Sequence, residues 1–223
     1  MSLHESINRH DPKSRRSEII ATELGYLWSN LLQRGALESH RSIGFCAIGE
    51  DEGSNTLAAN LALFLGSKGK RIALVEAALR GEALADVFHA TPAPGLAEAL
   101  TERSSLRDAL RLEVAPGVDL VPAGQPADPF WAFTGDGFRD VLRQLHADHD
   151  LCIVDVPGLN RAPEAGLVVR ALDAVVLVVE ANRHRAQVVE RNIGVLRSLG
   201  TPVLGSVVNE LVHDVPTMVE KLM

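Results

Sequence analysis

Six short apolar runs, separated by amphipathic segments of helical length, constrain the fold of this chain more than any other feature. Each run is rich in β-branched residues and is bounded by Gly, Pro or Asp, which is typical of strands buried on both faces of a sheet. The runs are Ile43–Ile48, Ile72–Val75, Val118–Val121, Leu151–Val154, Val175–Val179 and Val203–Val208. The alternation predicts an α/β fold with a mostly parallel central sheet flanked by helices, and ligands bind such sheets at the carboxyl ends of the strands.

The helical segments predict how the chain is divided. Apolar residues recur at helical spacing over Thr56–Ser67 and Arg185–Leu199, and over Glu18–Leu32 before the first strand. Residues 1–17 are polar and rich in arginine, so we expect a flexible arm there. No internal repeat and no long linker interrupts the 223-residue chain. Residues 18–223 are therefore predicted to form a single domain.

Composition excludes several classes of function. The net charge of −7 argues against nucleic acid as a partner, because phosphate backbones recruit clustered Lys and Arg. Cys46 and Cys152 lie in apolar runs without metal-ligand spacing, which indicates buried small side chains in a reducing compartment. The N-terminus lacks the apolar core of a signal peptide, and no apolar run approaches the roughly 20 residues that cross a bilayer. We therefore expect a cytoplasmic protein without direct membrane insertion.

A glycine-containing loop leads from the first strand into a helix, over Gly49–Thr56. This arrangement binds phosphate on backbone N–H groups and a helix N-terminus, and a working loop reads G-x-x-x-x-G-K-[ST]. Here the residue after Gly53 is Ser54 where lysine is required, and Asn55 stands where Ser or Thr binds magnesium. Losing the lysine alone should weaken phosphate binding at least roughly tenfold.

The acidic residues Glu50, Asp51 and Glu52 add negative charge where a polyphosphate would lie. Two interpretations stay open. The loop is either a tight strand–helix connection with Asn55 or Ser54 as N-cap, or it retains weak nucleotide binding.

Six segments in register then resemble one known family. The run from Gly49 to Ala62, ending TLAANLA, looks like the P-G-E-G-K-S-T-x-x-x-N-L-A stretch of the bacterial tyrosine autokinases, which belong to the ParA/MinD group of ATPases. RIALVEAALR resembles the family's K-V-L-L-I-D-A-D-L-R, and DLCIVDVP resembles its D-x-x-I-I-D-T-P-P. GLAEAL with SLRDAL, LVPAG with its following DP, and VLGSVVN match three further segments. The resemblance covers roughly residues 18–215 and implies a P-loop nucleotidase-type layered sandwich.

The resemblance also implies residue roles, with departures. The family's two second-motif aspartates are Glu76 and Ala78 here, and only Glu76 keeps a carboxylate. Asp155 would hold magnesium through water, or cap the turn after its strand. Asn209 matches the residue beside the adenine base, or is an ordinary turn residue. The candidate cofactor-binding set, in degenerate form, is Gly49, Gly53, Ser54, Asn55, Thr56, Asp155 and Asn209, with no catalytic or metal-ligating residue predicted.

Two further family features are missing. The tyrosine-rich tail that receives phosphate has no counterpart, since Tyr26 is the sole tyrosine and the chain ends VPTMVEKLM. The family's E-x-x-R-x-x-R oligomerisation helix aligns with Thr22, Gly25 and Trp28, so its charged contacts are lost. Trp28 either packs in the core or anchors a different partner.

Histidines suggest little chemistry. His146 and His149 lie beside aspartates, and a solvated turn is favoured over a metal site. The positive segment Arg183–Arg185, with His184 at its centre, begins a helix on the expected ligand side, which favours contact with an anion or a partner.

The resemblance therefore leads to an expected function: a catalytically inactive relative of the tyrosine autokinases that regulates or scaffolds exopolysaccharide or adhesin assembly and export. The expected partner is an inner-membrane polysaccharide co-polymerase or chain-length regulator, which could recruit the chain to that membrane; a homodimer is left open. No cofactor is expected. The alternatives are a switch that binds ATP or ADP weakly, with magnesium, and a ParA/MinD-type positioning ATPase.

Overall fold

The computed structural model describes residues 12–49, 52–81 and 83–209, with side chains described from residue 19 onward. Its strands are β1 (Ser42–Ala47), β2 (Ile72–Glu76), β3 (Arg111–Ala115), β4 (Val118–Val121), β5 (Leu151–Val156), β6 (Ala174–Glu180) and β7 (Val203–Asn209). Its helices are α1 (Pro12–Gln33), α2 (Ser54–Ser67), α3 (Ala83–Val87), α4 (Leu96–Leu100), α5 (Leu106–Ala109), α6 (Pro129–Ala132), α7 (Gly137–Asp148), α8 (Ala165–Ala171) and α9 (Ala186–Ser198). The predicted α/β fold with a mostly parallel sheet flanked by helices is confirmed.

The seven strands form one sheet in the order β3-β4-β2-β5-β1-β6-β7. Every neighbouring pair is parallel except β3–β4, which is antiparallel. The parallel strands therefore bring their carboxyl ends to the same edge of the sheet. In the register of β2 and β5, Glu76 lies opposite Asp155, so two carboxylates occupy adjacent strand ends.

All six predicted strands are present, and β3 is the strand that the sequence pattern missed. Its residues are half-buried or exposed rather than buried, because it lies at the edge of the sheet. An exposed edge strand needs no continuous apolar run, which is the signal that identified the others.

Helix boundaries shift modestly from the predicted ones. The helix expected from Glu18 begins at Pro12, so it includes six residues that were assigned to the flexible arm. The rest of that arm, residues 1–11, and the tail from residue 210 lie outside the described residues. The division into an arm and one domain over 18–223 stays a prediction.

The sheet has an apolar core on each face. On one face, α1 and α2 pack through residues such as Leu31, Leu61 and Leu65. On the other face, α4 and the helices from α7 to α9 pack through residues such as Leu142 and Leu196. Because alternate residues of a strand point to opposite faces, β5 supplies both cores. Cys46 and Cys152 are buried free cysteines, as predicted.

Candidate functional site

The loop after β1 lies where the carboxyl ends of β1, β2, β5 and β7 converge. Backbone hydrogen bonds fix its start, since the N–H groups of Leu159 and Asn160 donate to the carbonyls of Ala47 and Ile48, each at 3.0 Å. The turn after β5 approaches so closely that a Cβ on Gly158 would lie 2.3 Å from the carbonyl oxygen of Gly49. The structure therefore brings Gly49, Gly53, Ser54, Asn55, Asp155 and Asn209 to one edge of the sheet, while Thr56 is exposed in the first turn of α2. Their role in binding a cofactor stays a prediction. Glu50 and Asp51 lie outside the described residues.

Glu52 folds back into its own loop. The N–H of Gly49 donates to Glu52 Oε1 over 2.6 Å, and His184 Nε2 lies 2.8 Å from the same oxygen. The Glu52 side chain is fully buried, whereas that of His184 is 18% exposed. Glu52 Oε2 is buried without a hydrogen-bond partner among the described residues. One backbone donor of this phosphate-type loop is thus already bound to a carboxylate of the same chain.

The position of His184 explains the positive segment noted in the sequence. His184 contacts an anion, but that anion is the carboxylate of Glu52 within the same chain. Sequence reasoning missed this pair because 132 residues separate its members. The three-residue spacing of Gly49 and Glu52 was the available local signal, since a carboxylate can reach back to the backbone three residues earlier.

The side chains of Ser54 and Asp155 are hydrogen-bonded to each other. The Ser54 hydroxyl donates to Asp155 Oδ1 at 3.1 Å, so the residue in the lysine position contacts the third-motif aspartate directly. Burial raises the pKa of Asp155 to about 7; the Ser54 hydrogen bond opposes this rise and the nearby charge of Glu76 adds to it. The carboxylate is bonded to Ser54 rather than capping the turn after β5.

Gly53, rather than Asn55 or Ser54, is the N-cap of α2, so the predicted cap is wrong. Gly53 has φ 82°, a left-handed conformation that favours glycine. A Cβ there would lie 2.2 Å from Asn209 Nδ2, which is a second reason for glycine. The Asn55 side chain instead accepts the N–H of Thr56 at 2.7 Å, within the first turn of the helix.

Asn209 ends β7 and bonds to the loop. Its Nδ2 donates to the carbonyl oxygen of Glu52 at 3.0 Å, so the side chain holds the loop rather than acting as an ordinary turn residue. The predicted contact with an adenine base remains a prediction.

Glu76 uses its extra methylene to connect two backbone segments. Its Oε1 accepts the N–H of Leu84 at 2.8 Å, and its Oε2 accepts the N–H of Ala123 at 3.1 Å. The side chain is buried. This carboxylate joins the start of α3 to the loop after β4, and Ala78 beside it supplies no polar group.

A cavity of about 280 Å³ opens beside these residues, lined by Glu52, Glu76 and Asp155 as well as by Ser54 and Asn55. Arg80 and Arg161 also line it. Arg80 makes two hydrogen bonds to Glu164, at 3.0 and 3.2 Å, and that glutamate is fully buried. The charge of Arg80 is therefore already paired within the protein.

His146 in α7 and His149, the residue that follows this helix, lie elsewhere and are not in a solvated turn, so that interpretation is wrong. His149 is buried, with Nδ1 2.8 Å from the carbonyl oxygen of Leu145 and Nε2 2.9 Å from Asp119 Oδ2. His146 Nε2 lies 3.1 Å from the carbonyl oxygen of Arg41, and burial lowers the pKa of His146. Both rings join the end of α7 to neighbouring segments. No group of three or more His, Cys, Asp or Glu side chains suited to a metal ion occurs within the described ranges.

The residues present do not fit ATP with magnesium in the manner that the fold would imply. Ser54 and Asn55 replace the phosphate-binding lysine and the magnesium ligand. The Gly49 N–H and the Ser54 hydroxyl are both bonded to carboxylates of the chain. A polyphosphate would have to displace Glu52 and then lie beside three carboxylates.

Comparison with known proteins finds several relatives that are named tyrosine-protein kinases. The chain is 24% identical over 209 residues to the tyrosine-protein kinase CpsD of Streptococcus agalactiae, an alignment that covers 93% of this chain and 89% of CpsD. It is 23% identical to the putative tyrosine-protein kinase CapB of Staphylococcus aureus, covering 92% and 89% of the two chains. The profiles of known protein families give no match.

Solved structures agree on the fold. The kinase domain of the Escherichia coli tyrosine kinase ETK superposes with a TM-score of 0.76 at 22% identity, covering 80% of this chain and 70% of that one. The septum site-determining protein MinD of Pyrococcus horikoshii, complexed with Mg-ADP, gives 0.68 at 20% identity, covering 82% and 77%. These comparisons confirm the resemblance to bacterial tyrosine kinases and MinD-like ATPases, and with it the P-loop type of fold. None of the helices in the described part of the chain is long and apolar enough to span a membrane.

Proposed function

We propose that this chain is a non-catalytic relative of the bacterial tyrosine kinases, which acts as a cytoplasmic regulator or scaffold in exopolysaccharide or adhesin assembly and export. Its partner would be an inner-membrane polysaccharide co-polymerase or chain-length regulator. The proposed pathway and class of partner are supported by the resemblance to bacterial tyrosine-protein kinases such as CpsD. The residues and contacts of the loop after β1 support the proposed absence of catalysis.

One observation carries the proposal: the buried Glu52 carboxylate occupies the loop and accepts the N–H of Gly49 at 2.6 Å. Phosphate-binding loops work because their N–H groups are available to an incoming anion. Here one such donor is bound to an internal anion, and the lysine that would offset phosphate charge is replaced by Ser54. The fold is kept while the groups that would hold and activate a nucleotide are missing.

The test is a calorimetric titration of ATP, with and without magnesium, into the wild type and into Asp155→Ala, alongside a hydrolysis assay. We expect neither heat of binding at micromolar nucleotide nor magnesium-dependent turnover in either protein. The tyrosine-protein kinase CpsD serves as the positive control. Magnesium-dependent hydrolysis that is lost in Asp155→Ala would overturn the proposal.

The second candidate function is a nucleotide-gated switch without kinase activity. It is favoured by the cavity itself, since Asp155 lines it and Arg161 adds positive charge. Binding at millimolar ATP or ADP that weakens in Asp155→Ala would support this switch. A titration silent up to millimolar nucleotide would exclude it. Recovery of chromosome or septum factors in a pull-down, rather than an envelope protein, would instead indicate a ParA/MinD-type role.

A further inference from the structure

From the charges that line the cavity, we propose that this cavity binds a cationic nitrogen group, a guanidinium or an ammonium, in place of a nucleotide. The inference rests on the proposed loss of nucleotide chemistry. It goes further by naming the chemistry of the ligand that this edge of the sheet now accepts.

The charges lining the cavity favour a cation. Glu52, Glu76 and Asp155 contribute three carboxylates, and Arg80 and Arg161 contribute two guanidinium groups, of which that of Arg80 is held by the buried Glu164. Glu76 accepts two backbone N–H groups, and Asp155 accepts one hydrogen bond within the described ranges, from Ser54. Carboxylates with unfilled acceptor positions in a buried site are stabilised by a hydrogen-bonding cation.

Glu52 gives the independent sign that a ligand is missing. Its side chain is fully buried, and its Oε2 has no hydrogen-bond partner among the described residues. Leaving a buried carboxylate oxygen without a partner is costly, and such an atom in a folded protein calls for an explanation. Glu52 lines the cavity, and a donor bound there would give this shielded oxygen a partner once the carboxylate turns toward the cavity.

The geometry favours a nitrogen cation over a metal ion. No three His, Cys, Asp or Glu side chains in the described part of the chain form a group that could hold a metal. A guanidinium or an ammonium needs no such shell, because each presents several N–H donors to separate acceptors. The volume of about 280 Å³ lies just below the roughly 300–1,000 Å³ of pockets that hold drug-sized ligands. It therefore suits one side chain or a small amine.

The group could come from an Arg or Lys side chain of a partner protein or from a free amine, and two probes distinguish these sources. Agmatine represents the free amine, and the capped peptide acetyl-Gly-Arg-Gly-amide presents an arginine on a backbone. Acetyl-Gly-citrulline-Gly-amide is the neutral control for the peptide. Each would be titrated calorimetrically into the 223-residue chain. We expect agmatine or the arginine peptide to bind, and the citrulline peptide to bind at least about tenfold more weakly.

Variants place the binding in the cavity. Glu52→Gln and Asp155→Asn should each weaken the bound probe about tenfold or more, by removing one charge-assisted hydrogen bond. Glu98→Gln is the matched control, because Glu98 Oε2 accepts the N–H of Gly95, three residues earlier, at 2.7 Å but does not line the cavity. Circular dichroism and thermal melts would show whether each variant is folded. If Glu52→Gln does not fold, Asp155→Asn alone provides the test of binding in the cavity.

The outcomes separate this inference from the proposed function. The inference is wrong if neither cationic probe binds, or if the probes bind Glu52→Gln and Asp155→Asn as tightly as they bind the wild type and the control Glu98→Gln. The proposed loss of nucleotide chemistry can still stand in either case. Binding of agmatine alone would identify a small-amine site. Binding of the arginine peptide would identify a site for a protein side chain. Magnesium-dependent ATP hydrolysis would overturn the proposed function whatever the probes do.

Discussion

At the residue scale, the polar side chains around the loop are bonded to one another and to the backbone. Ser54 donates to Asp155, His184 contacts Glu52, and Asn209 donates to the Glu52 carbonyl. These contacts use the polar groups of the loop within the protein itself. Burial raises the pKa of Asp155 to about 7.

Asp155 should make stability depend on pH. Its pKa in the folded protein lies above that of an exposed aspartate, so the native state binds more protons than the unfolded state between about pH 4 and 7. The free energy of unfolding should therefore fall as pH rises through that range. Asp155→Asn removes this effect. From pH 5 to pH 8, we expect the free energy of unfolding of the wild type to fall by about 2–3 kcal/mol more than that of the variant.

Urea denaturation of both proteins at the two pH values measures this difference. Asp148→Asn, which changes an exposed aspartate on α7, is the control and should follow the wild type. Stability curves for Asp155→Asn and the wild type that remain parallel across the range would contradict the prediction.

At the scale of elements, α2 carries the most informative difference from an active loop. Its first residues are Ser54 and Asn55, and its N-cap is Gly53 in a left-handed conformation. The nearest lysine in the sequence after the loop, Lys68, lies at the opposite end of the helix. The helix N-terminus is still aimed at the edge of the sheet where the strands end. What is missing is the side-chain chemistry and not the backbone framework.

Restoring that chemistry should restore affinity. The double variant Ser54→Lys, Asn55→Thr adds a phosphate-binding cation and a magnesium ligand, so we expect ATP affinity to rise at least about tenfold. Adding Glu52→Ala should raise it further by freeing the Gly49 N–H. Ser67→Lys adds the same charge at the opposite end of α2 and should have no effect in the same titration. No gain in the triple variant would show that the loop backbone, rather than these side chains, prevents binding.

Helix α1 offers a second prediction, on Trp28. The half-buried Trp28 packs against the core between α1 and the sheet, which favours core packing over a partner anchor. We expect Trp28→Ala to lower the free energy of unfolding by about 1–3 kcal/mol, less than for a fully buried aromatic side chain. Tyr26 is 66% exposed on the same helix, and Tyr26→Ala should change stability by less than about 0.5 kcal/mol. Similar values for the two variants, measured by denaturant unfolding, would argue against the core assignment.

At the scale of the whole molecule, the carboxyl edge of the sheet is joined to the surrounding segments by buried acids. Glu76 connects β2 to α3 and to the loop after β4, and Glu164 holds Arg80 beside the same cavity. The edge that carries the ligand site in related folds therefore also contributes to the stability of this chain.

Glu76→Gln tests that contribution. An amide has one acceptor oxygen, so one of the two buried N–H groups, of Leu84 or Ala123, would lose its partner. We expect the free energy of unfolding to fall by about 1–3 kcal/mol, measured by denaturant unfolding. Glu113→Gln changes an exposed glutamate on the edge strand β3 and is the matched control. An unchanged stability would show that Glu76 is not structural.

The sequence alone determined the fold class, because buried parallel strands need continuous apolar runs and their crossovers need amphipathic helices. All six strands identified in that way are present, while the edge strand β3 escaped because its residues are partly exposed. The motif spacing also located the loop, and the identities of Ser54 and Asn55 showed which groups it lacks.

Only the tertiary structure decided how the remaining polar groups are used. The pairing of Glu52 with His184 and the contact of Asn209 with the loop join residues that are far apart in the chain, and no local pattern encodes such contacts. The role of Glu76 depends on two backbone N–H groups from different segments, and only the folded structure brings these groups together around one carboxylate. Burial, which raises the pKa of Asp155 and leaves Glu52 Oε2 without a partner among the residues that the structure describes, is a property of the packed edge of the sheet and not of any single residue.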